Sequence, residues 1–248
     1  MKSSINIQFY GNSAFAIDFD PYFIVIDYFT KGLVIPKNRK VLFIVTHGHE
    51  DHYHPKIFQL KAAKNAKFIL SDDVEACESK DNISYLHRID KLKLSYDSKR
   101  VIRSRPNESF EVEGISFRTF GSTDQGVSIH FTVNGVHFFH SGDLNAWVWE
   151  DFSKEEQKKE WIDFQNIIQE VKHYPIDIAF GVVDSRLGKN GYLGPDFLLK
   201  QLRPQIFIPM HIKGDIQFAK KFQQDQKESF PGYLHVFERV LDNLKVEI

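Results

Sequence analysis

Short apolar blocks and alternating apolar and polar residues fill the first third of the chain, a pattern typical of strands joined by tight turns. Strands are predicted at residues 5–10, 14–19, 23–27, 41–45 and 68–70. A helix is predicted over residues 55–63, because Pro55 suits the first turn of a helix. This part of the chain therefore reads as a sheet with short connections.

The clearest hairpin lies in the middle of the chain. Segments 127–133 and 136–140 flank Asn134-Gly135, a pair preferred in two-residue type I′ turns. Residues 100–141 contain four strand candidates in all, among them the alternating segment 115–120. Because hairpins are antiparallel, this pattern counts against a doubly wound parallel sheet, which is the alternative fold.

Helical periodicity dominates the last third of the chain. Residues 153–172 carry apolar side chains at helical spacing, and Ser153 with Glu156 fits a capping box. Strands at 176–183 and 206–209 and helices at 195–202 and 213–226 follow. Strands followed by helices, twice over, predict the α+β class and a four-layer αββα sandwich. No linker stands out, so a single domain over residues 1–248 is predicted.

The stretch Thr46-His47-Gly48-His49-Glu50-Asp51-His52, directly after strand 41–45, is the most informative part of the sequence. A chain with 11 histidines and 33 acidic residues would match this spacing by chance about 0.003 times, which disfavours a merely histidine-rich surface loop. Imidazole and carboxylate are usual ligands of zinc and related ions. His47 and His49 are expected to point the same way, with Asp51 and His52 following at a helix start. Two ligand pairs of this kind suit two adjacent ions.

This motif resembles the signature of the metallo-β-lactamase superfamily. Two later motifs follow in that superfamily's order: Gly142-Asp143-Leu144 after an apolar strand, and Ile208-Pro209-Met210-His211 as a late strand that ends in a histidine. Segments 120–126 and 140–145, with Trp147, resemble a branch of uncharacterised metal-dependent hydrolases related to ascorbate-6-phosphate lactonase-like proteins. The resemblance implies six metal ligands. It implies that one ion is held by His47 and His49, a second by Asp51, His52 and His211, with Asp143 between them.

One segment departs from the superfamily pattern. A third histidine normally serves the first metal, but residues 120–126 contain none, and Ser122, Thr123 and Asp124 stand in its place. Asp124 or a hydroxyl could replace it and shift the preference towards a harder ion such as manganese. The favoured interpretation is a weakened His47/His49 site, with one ion bound tightly.

Other polar residues follow predicted strands, where site residues are common. Asp184 and Arg186 are either substrate or site contacts or a loop salt bridge. Asp27 is interpreted as a turn or cap acid rather than a site residue. Trp147 and Trp149 are interpreted as packing residues rather than the wall of a substrate pocket. His140 is expected to lie in the core or to support the site.

The remaining histidines and the cysteine are expected to have no catalytic role. The histidines interpreted as structural are His87, His130, His137, His173 and His235. Cys77 is the one cysteine of the chain, so an internal disulfide is excluded and a reducing cytoplasm is the expected location. It has no activating partner nearby in the sequence, which favours an ordinary residue over a nucleophile.

The composition of the chain argues against some classes of function. An apolar content of 42% is enough for a core, and the net charge of −1 argues against nucleic-acid binding and hence against a nuclease. No signal peptide is visible, and no apolar run reaches the roughly 18 residues of a membrane span. A small-molecule substrate is expected, and homo-oligomerisation stays open.

The function predicted is that of a metal-dependent hydrolase acting on a small ester, lactone or phosphoester. One or two zinc or manganese ions would lower the pKa of water towards neutrality, and Asp51 would hold or deprotonate the nucleophile. The alternative is a non-catalytic metal-binding or ligand-sensing protein on a decayed hydrolase scaffold, which the missing histidine supports.

Overall fold

The computed structural model describes residues 4–61, 64–74 and 98–247. Its backbone divides into two compact units, the first formed by Met1–Ser104 with Asn243–Ile248 and the second by Arg105–Asp242. The single domain over residues 1–248 stays a prediction. Cys77, His87 and the last two residues of the predicted helix 55–63 lie outside the described residues.

The described strands agree with the apolar pattern, except that residues 100–141 contain five strands and not the four predicted. In chain order they are β1 (Ser4–Gly11), β2 (Ala14–Phe19), β3 (Tyr22–Ile26), β4 (Lys40–Val45), β5 (Lys67–Ser71), β6 (Val101–Ser104), β7 (Ser109–Val112), β8 (Ile115–Phe120), β9 (Ser128–Val133), β10 (Val136–His140), β11 (Ile178–Val182), β12 (Ile206–Met210), β13 (Tyr233–Leu234) and β14 (Asn243–Glu247). The predicted hairpin is β9–β10, and its turn residues Asn134 and Gly135 both have positive φ, as a type I′ turn requires.

The long helices are α1 (Lys154–Val171), α2 (Leu193–Leu202) and α3 (Ile216–Asp225). The predicted capping box is confirmed at α1, where Ser153 and Glu156 exchange side-chain and backbone bonds. Helix α3 begins later than predicted, because Lys213 and Gly214 have positive φ and Asp215 is the N-cap, accepting a hydrogen bond from Phe218 N. Short 3-10 helices cover Ser98–Arg100 and Ser185–Asn190.

The prediction of a helix over residues 55–63 was wrong in type. The chain forms a 3-10 helix, Pro55–Gln59, with Pro55 in its first turn and the His54 ring accepting a hydrogen bond from Lys56 N. Leu60 has extended backbone angles, φ −65° and ψ 113°, which end the helix. A single helical turn after proline is too short to be distinguished by periodicity from a longer helix.

Seven of the described strands form the sheet of the first unit, in the order β14-β1-β2-β3-β4-β5-β6. The pairs from β14 to β3 are antiparallel, and those from β3 to β6 are parallel. Its core includes Phe43 stacked on Phe68 with ring centroids 5.2 Å apart. The sheet is therefore mixed.

The second unit repeats this plan. Its described strands are ordered β13-β12-β11-β10-β9-β8-β7, parallel from β13 to β10 and antiparallel from β10 to β7. Helix α1 buries Phe164, Ile168 and Val171 in the core of this unit, as its apolar spacing predicted. Two mixed sheets confirm the α+β class and exclude the doubly wound parallel alternative.

The polar residues singled out in the sequence lie mostly in the loops that follow the parallel strands of each sheet. Loops leave the carboxyl ends of β3 and β4 in the first unit and of β10, β11 and β12 in the second, where α/β proteins usually bind ligands. Among the residues that follow these strands most closely, Asp27 (φ 49°), Gly142 (φ 55°) and His211 (φ 57°) have left-handed backbone angles. Aspartate and histidine adopt these angles more readily than most residues, and functional sites hold them often.

Within residues 4–61, 64–74 and 98–247, no helix combines the length and the apolar character needed to cross a membrane.

Candidate functional site

In the first unit, three histidines of the loop after β4 lie against one another. The Nε2 atom of His47 is 3.1 Å from Nδ1 of His49, and the rings of His47 and His52 have centroids 3.9 Å apart. His47 and His52 are buried, and His49 is half-buried. The expected neighbourhood of His47 and His49 is confirmed. The expected division into two separate pairs is not found, because the His47 ring contacts both other histidines.

Asp27 lies behind this loop and is fully buried. Its Oδ1 accepts from Thr46 N at 2.8 Å, and its Oδ2 accepts from the Thr46 hydroxyl and from His52 Nδ1, both at 2.8 Å. Asp27 lies in a turn and binds a backbone N–H, as the favoured interpretation expected, but its carboxylate also contacts His52, so it lies next to the candidate ligands as the alternative expected. The available signal was that Asp27 is a polar residue at the end of a buried strand.

The hydrogen bonds around Thr46 assign the protons of two histidines. Since the Thr46 hydroxyl proton goes to Asp27, its oxygen must accept in the 3.0 Å contact with His47 Nδ1. His47 therefore carries its proton on Nδ1, and His52 donates its own Nδ1 proton to Asp27. In both rings the Nε2 atom is left with the lone pair that a metal ion needs.

Asp51 is held by a residue that the sequence analysis did not single out. Asn12, at φ 47° in the turn between β1 and β2, donates from Nδ2 to Asp51 Oδ2 at 2.8 Å. The same oxygen is 4.0 Å from His52 Nε2. The loop backbone is braced as well, since Gly48 N donates to Asp73 Oδ2 at 3.0 Å. Nothing in the local pattern connects Asn12 to Asp51, which is 39 positions away.

In the second unit, Asp143 and His211 come together as the resemblance implied. Both are buried, and His211 Nε2 is 3.5 Å from Asp143 Oδ2. The other nitrogen, His211 Nδ1, is 3.0 Å from Asp184 Oδ2. Because a carboxylate accepts at Nδ1, Nε2 is again the atom available to a ligand.

The loop salt bridge between Asp184 and Arg186 is present, and Asp184 also contacts His211, one of the candidate ligands. Arg186 donates from Nε to both carboxylate oxygens at 3.0 Å and from Nη2 to Oδ2 at 2.5 Å, while Asp184 also contacts His211. Burial alone would raise the pKa of Asp184, but the bonds from His211 and Arg186 outweigh it and hold the pKa well below its usual value. Asp184 is therefore ionised across the physiological pH range.

Two tryptophans pack beside the second unit's site residues. The Trp147 indole N–H donates to the Asp143 carbonyl oxygen at 2.9 Å, and its ring lies edge-on to His211 at 5.7 Å. Trp149 stacks on Trp147 with centroids 5.9 Å apart and planes 9° apart. Trp147 is buried and Trp149 half-buried, which agrees with packing as the main role.

The segment that lacks the expected histidine is tied to the loop of Asp143. The Thr123 hydroxyl donates to Asn145 O at 2.6 Å and accepts from Asn145 N at 3.0 Å. Ser122 Oγ accepts from Asp124 N at 3.2 Å, and the Asp124 side chain is exposed. Among these three candidates, the hydroxyl of Thr123 is already engaged by a peptide group.

The histidines expected to be structural have ordinary contacts where they are described. His130 Nε2 donates to Pro175 O at 2.9 Å, and burial lowers its pKa from the usual 6.5. His137 Nδ1 is 3.0 Å from the Thr132 hydroxyl. His140 is buried, as expected, and its Nδ1 accepts from Gly142 N at 3.1 Å.

The donor atoms within each unit fit a divalent ion. Two ligands about 2.1 Å from a tetrahedral ion are separated by about 3.4 Å. The contacts His47 Nε2–His49 Nδ1 at 3.1 Å, His211 Nε2–Asp143 Oδ2 at 3.5 Å and His52 Nε2–Asp51 Oδ2 at 4.0 Å bracket that value. Imidazole and carboxylate together suit zinc and manganese.

Comparisons with known proteins agree with this description. The family model described as "Beta-lactamase superfamily domain" matches residues 6–160. Among solved structures, the chain is similar to Igni18, a novel metallo hydrolase from the hyperthermophilic archaeon Ignicoccus hospitalis KIN4/I, with 18% identity, TM-score 0.66 and 99% of both chains covered. A comparison with curated proteins finds no match.

Two further solved structures share the fold. A candidate metal-dependent hydrolase from Parabacteroides distasonis ATCC 8503 is 16% identical, with TM-score 0.65 and coverage of 95% of this chain and 94% of the other. The metallo-β-lactamase fold protein YhfI from Bacillus subtilis is 11% identical, with TM-score 0.60 and coverage of 98% and 100%. These likenesses confirm the four-layer αββα class. Since the family model covers more than half of the 248 residues, the chain belongs to the metallo-β-lactamase superfamily.

Proposed function

We propose that this chain is a metal-dependent hydrolase that cleaves a small ester, lactone or phosphoester. The proposed ligands of one or two zinc or manganese ions are His47, His49, Asp51, His52, Asp143 and His211. The net charge of −1 favours a small-molecule substrate rather than nucleic acid, and the single cysteine favours a cytoplasmic location.

The observation that carries the proposal is a pair of buried histidines, each backed by a carboxylate. His52 Nδ1 is 2.8 Å from Asp27, and His211 Nδ1 is 3.0 Å from Asp184. A carboxylate behind a histidine fixes the tautomer and raises the basicity of the ligating nitrogen, and metal-ligating histidines almost always donate their other N–H to a carboxylate, a backbone carbonyl or water.

The chain's own residues have separate roles in the proposed reaction. A bound divalent ion would supply a water of lowered pKa and would polarise the carbonyl or phosphoryl group of the substrate. Asp51 would hold the attacking water and take its proton, and Asn12 would keep the carboxylate oriented by binding one of its oxygens. Asp27 and Thr46 would keep His52 and His47 in the ligating tautomers.

The test is turnover of p-nitrophenyl esters and phosphodiesters by protein loaded with zinc or manganese. Changing Asp51→Asn preserves the shape but removes the base, so kcat should fall by about 10²-fold or more. Asp20→Asn is the matched control, because it removes an exposed carboxylate of the same unit that pairs with Arg39. Full activity of the Asp51→Asn or Asp51→Ala protein would overturn the proposed mechanism.

The second candidate is a metal-binding or ligand-sensing protein without catalysis. It is favoured by the absence of a histidine in residues 120–126 and by the engagement of the Thr123 hydroxyl with Asn145. Elemental analysis after purification without added metal separates the cases. One tightly held equivalent with no turnover supports this second function, whereas two equivalents would contradict the weakened His47/His49 site.

A further inference from the structure

We propose that Arg186 recognises a negatively charged group on the substrate, so that the hydrolase selects substrates carrying a carboxylate or phosphate. The inference deepens the proposed function and rests on it. Arg186 lies in the 3-10 helix Ser185–Asn190, at the carboxyl end of the parallel strand β11. Its side chain is 49% exposed, although its partner Asp184 is fully buried.

The guanidinium of Arg186 has a fixed direction. The edge formed by Nε and Nη2 faces Asp184, with three contacts between 2.5 and 3.0 Å. Because the group is planar, the opposite edge, which carries Nη1 and the outer N–H of Nη2, must face away from Asp184. The cation also lies over the Trp149 ring at 5.7 Å from its centroid. A fork held in this way matches the two oxygens of a carboxylate or phosphate.

Arg186 is also close to a proposed metal ligand. The same oxygen, Asp184 Oδ2, accepts from Arg186 Nη2 at 2.5 Å and contacts His211 Nδ1 at 3.0 Å. One atom therefore separates the guanidinium from the imidazole. A substrate long enough to extend from His211 and Asp143 past Asp184 would bring a charged substituent to the outer edge of Arg186.

Two exposed lysines extend the positive charge along the same edge of the sheet. Lys213 follows His211 by two residues after β12, and Lys189 lies in the same 3-10 helix as Arg186. β11 and β12 are parallel neighbours, paired at Val182 and Met210 next to these loops. Glu150 lies beside Lys189, since its Oε1 accepts from Lys189 N at 3.1 Å, so Arg186 and Lys213 are the cations that favour an anionic ligand at this edge.

The competing interpretation is that Arg186 only neutralises the buried Asp184. The two roles differ in substrate dependence. A counterion of Asp184 would affect every substrate equally through His211, whereas an anion contact affects charged substrates more. The matched pair of substrates is p-nitrophenyl butyrate and mono-p-nitrophenyl succinate, in which a carboxylate replaces the terminal methyl group.

The experiment measures kcat and KM for both esters with zinc-loaded wild type, Arg186→Met and Arg186→Lys at equal metal content. In Arg186→Met we expect the succinate ester to lose roughly tenfold more in kcat/KM than the butyrate ester, mainly through KM, as befits a charged hydrogen bond. Arg186→Lys should recover part of the preference, since it keeps the charge but not the fork. Arg239→Met, which removes a guanidinium beside Asp242, is the control.

Equal losses for the two esters, or a wild-type protein that does not prefer the succinate ester, would overturn the proposal. If neither ester is turned over, the proposed function fails but the role of Arg186 is still decided by calorimetry with inorganic phosphate and with succinate. Weaker binding of either anion by Arg186→Met than by wild type supports the contact and shows which anion it prefers. Unchanged binding of both refutes it.

Discussion

In each unit a carboxylate binds a buried histidine, Asp27 with His52 in the first and Asp184 with His211 in the second. The two pairs occupy equivalent places on their sheets, but the other partners of the two carboxylates differ in charge and exposure. In the first unit Asp27 follows β3 and His52 follows β4, and these strands are parallel neighbours. In the second unit Asp184 follows β11 and His211 follows β12, which are also parallel neighbours. The separations along the chain are similar, 25 and 27 residues. Neighbouring parallel strands thus bring together residues that are distant in sequence.

The difference lies in what else binds the carboxylate. Asp27 accepts from the peptide N–H and hydroxyl of Thr46, which are neutral and buried. Asp184 accepts from the guanidinium of Arg186, which is half exposed. A buried carboxylate can therefore be bound either by neutral groups of the neighbouring loop, as at Asp27, or by a cation of its own loop at the surface, as at Asp184. In the first arrangement the other partners of the carboxylate are buried, and in the second the guanidinium partner is half exposed.

Alanine at the two acids gives the largest expected contrast. Asp27→Ala leaves the Thr46 N–H, the Thr46 hydroxyl and His52 Nδ1–H buried without this acceptor, so the free energy of unfolding should fall by about 3 kcal/mol or more. Asp184→Ala should cost less, about 1–2 kcal/mol, because water can reach the exposed Arg186. Urea denaturation of the metal-free proteins measures both. Equal losses would show that the neutral and the charged arrangement hold the fold equally.

Much of the fold and the local part of the site could be predicted from the sequence. The strand ends, the Asn134-Gly135 turn and the capping box at Ser153 depend on residues within a few positions, so the pattern contains the information. The candidates in residues 46–52 lie within one loop for the same reason, and the structure brings them together.

Contacts across the sheet could not be predicted in this way. Asn12 reaches Asp51, Asp27 reaches His52, and Thr123 binds the peptide of Asn145 only because separate strand ends meet. An acid after a strand has no local feature that distinguishes a capping residue from the partner of a histidine, and for this reason the contact of Asp27 with His52 was not predicted. Strands β13 and β14 were not predicted either. β13 has only two residues and therefore no periodicity, whereas β14 has five residues with alternating polar and apolar side chains, a signal that was available and missed.

The contribution of the Thr46 hydroxyl, a neutral partner of Asp27, can be measured by removing it alone. Thr46→Val has nearly the same shape but removes the hydroxyl that accepts from His47 Nδ1 and donates to Asp27. Without this relay His47 can take the tautomer that protonates Nε2, so zinc affinity should fall by about tenfold. Competition with a chromophoric chelator measures the change, and Thr46→Ser, which keeps the hydroxyl, should restore most of the affinity. A Thr46→Val protein with wild-type affinity would mean that His47 needs no fixed tautomer.

The smallest expected effect concerns His130, a histidine that is bound by a backbone carbonyl and not by a carboxylate. His130 donates to Pro175 O, and burial lowers its pKa below the usual 6.5. As the pH falls below 6.5, the unfolded chain binds this proton before the folded one does, so stability is lost on the acid side. The slope from one proton is at most about 1.4 kcal/mol per pH unit.

The variant His130→Gln keeps a hydrogen-bond donor but does not titrate. Its melting temperature should therefore fall less between pH 7 and pH 5.5 than that of wild type, about the range in which an unperturbed histidine titrates. His173→Gln, at an exposed position, should behave like wild type. If the two variants have the same pH dependence, burial without a carboxylate does not distinguish His130 from a surface histidine.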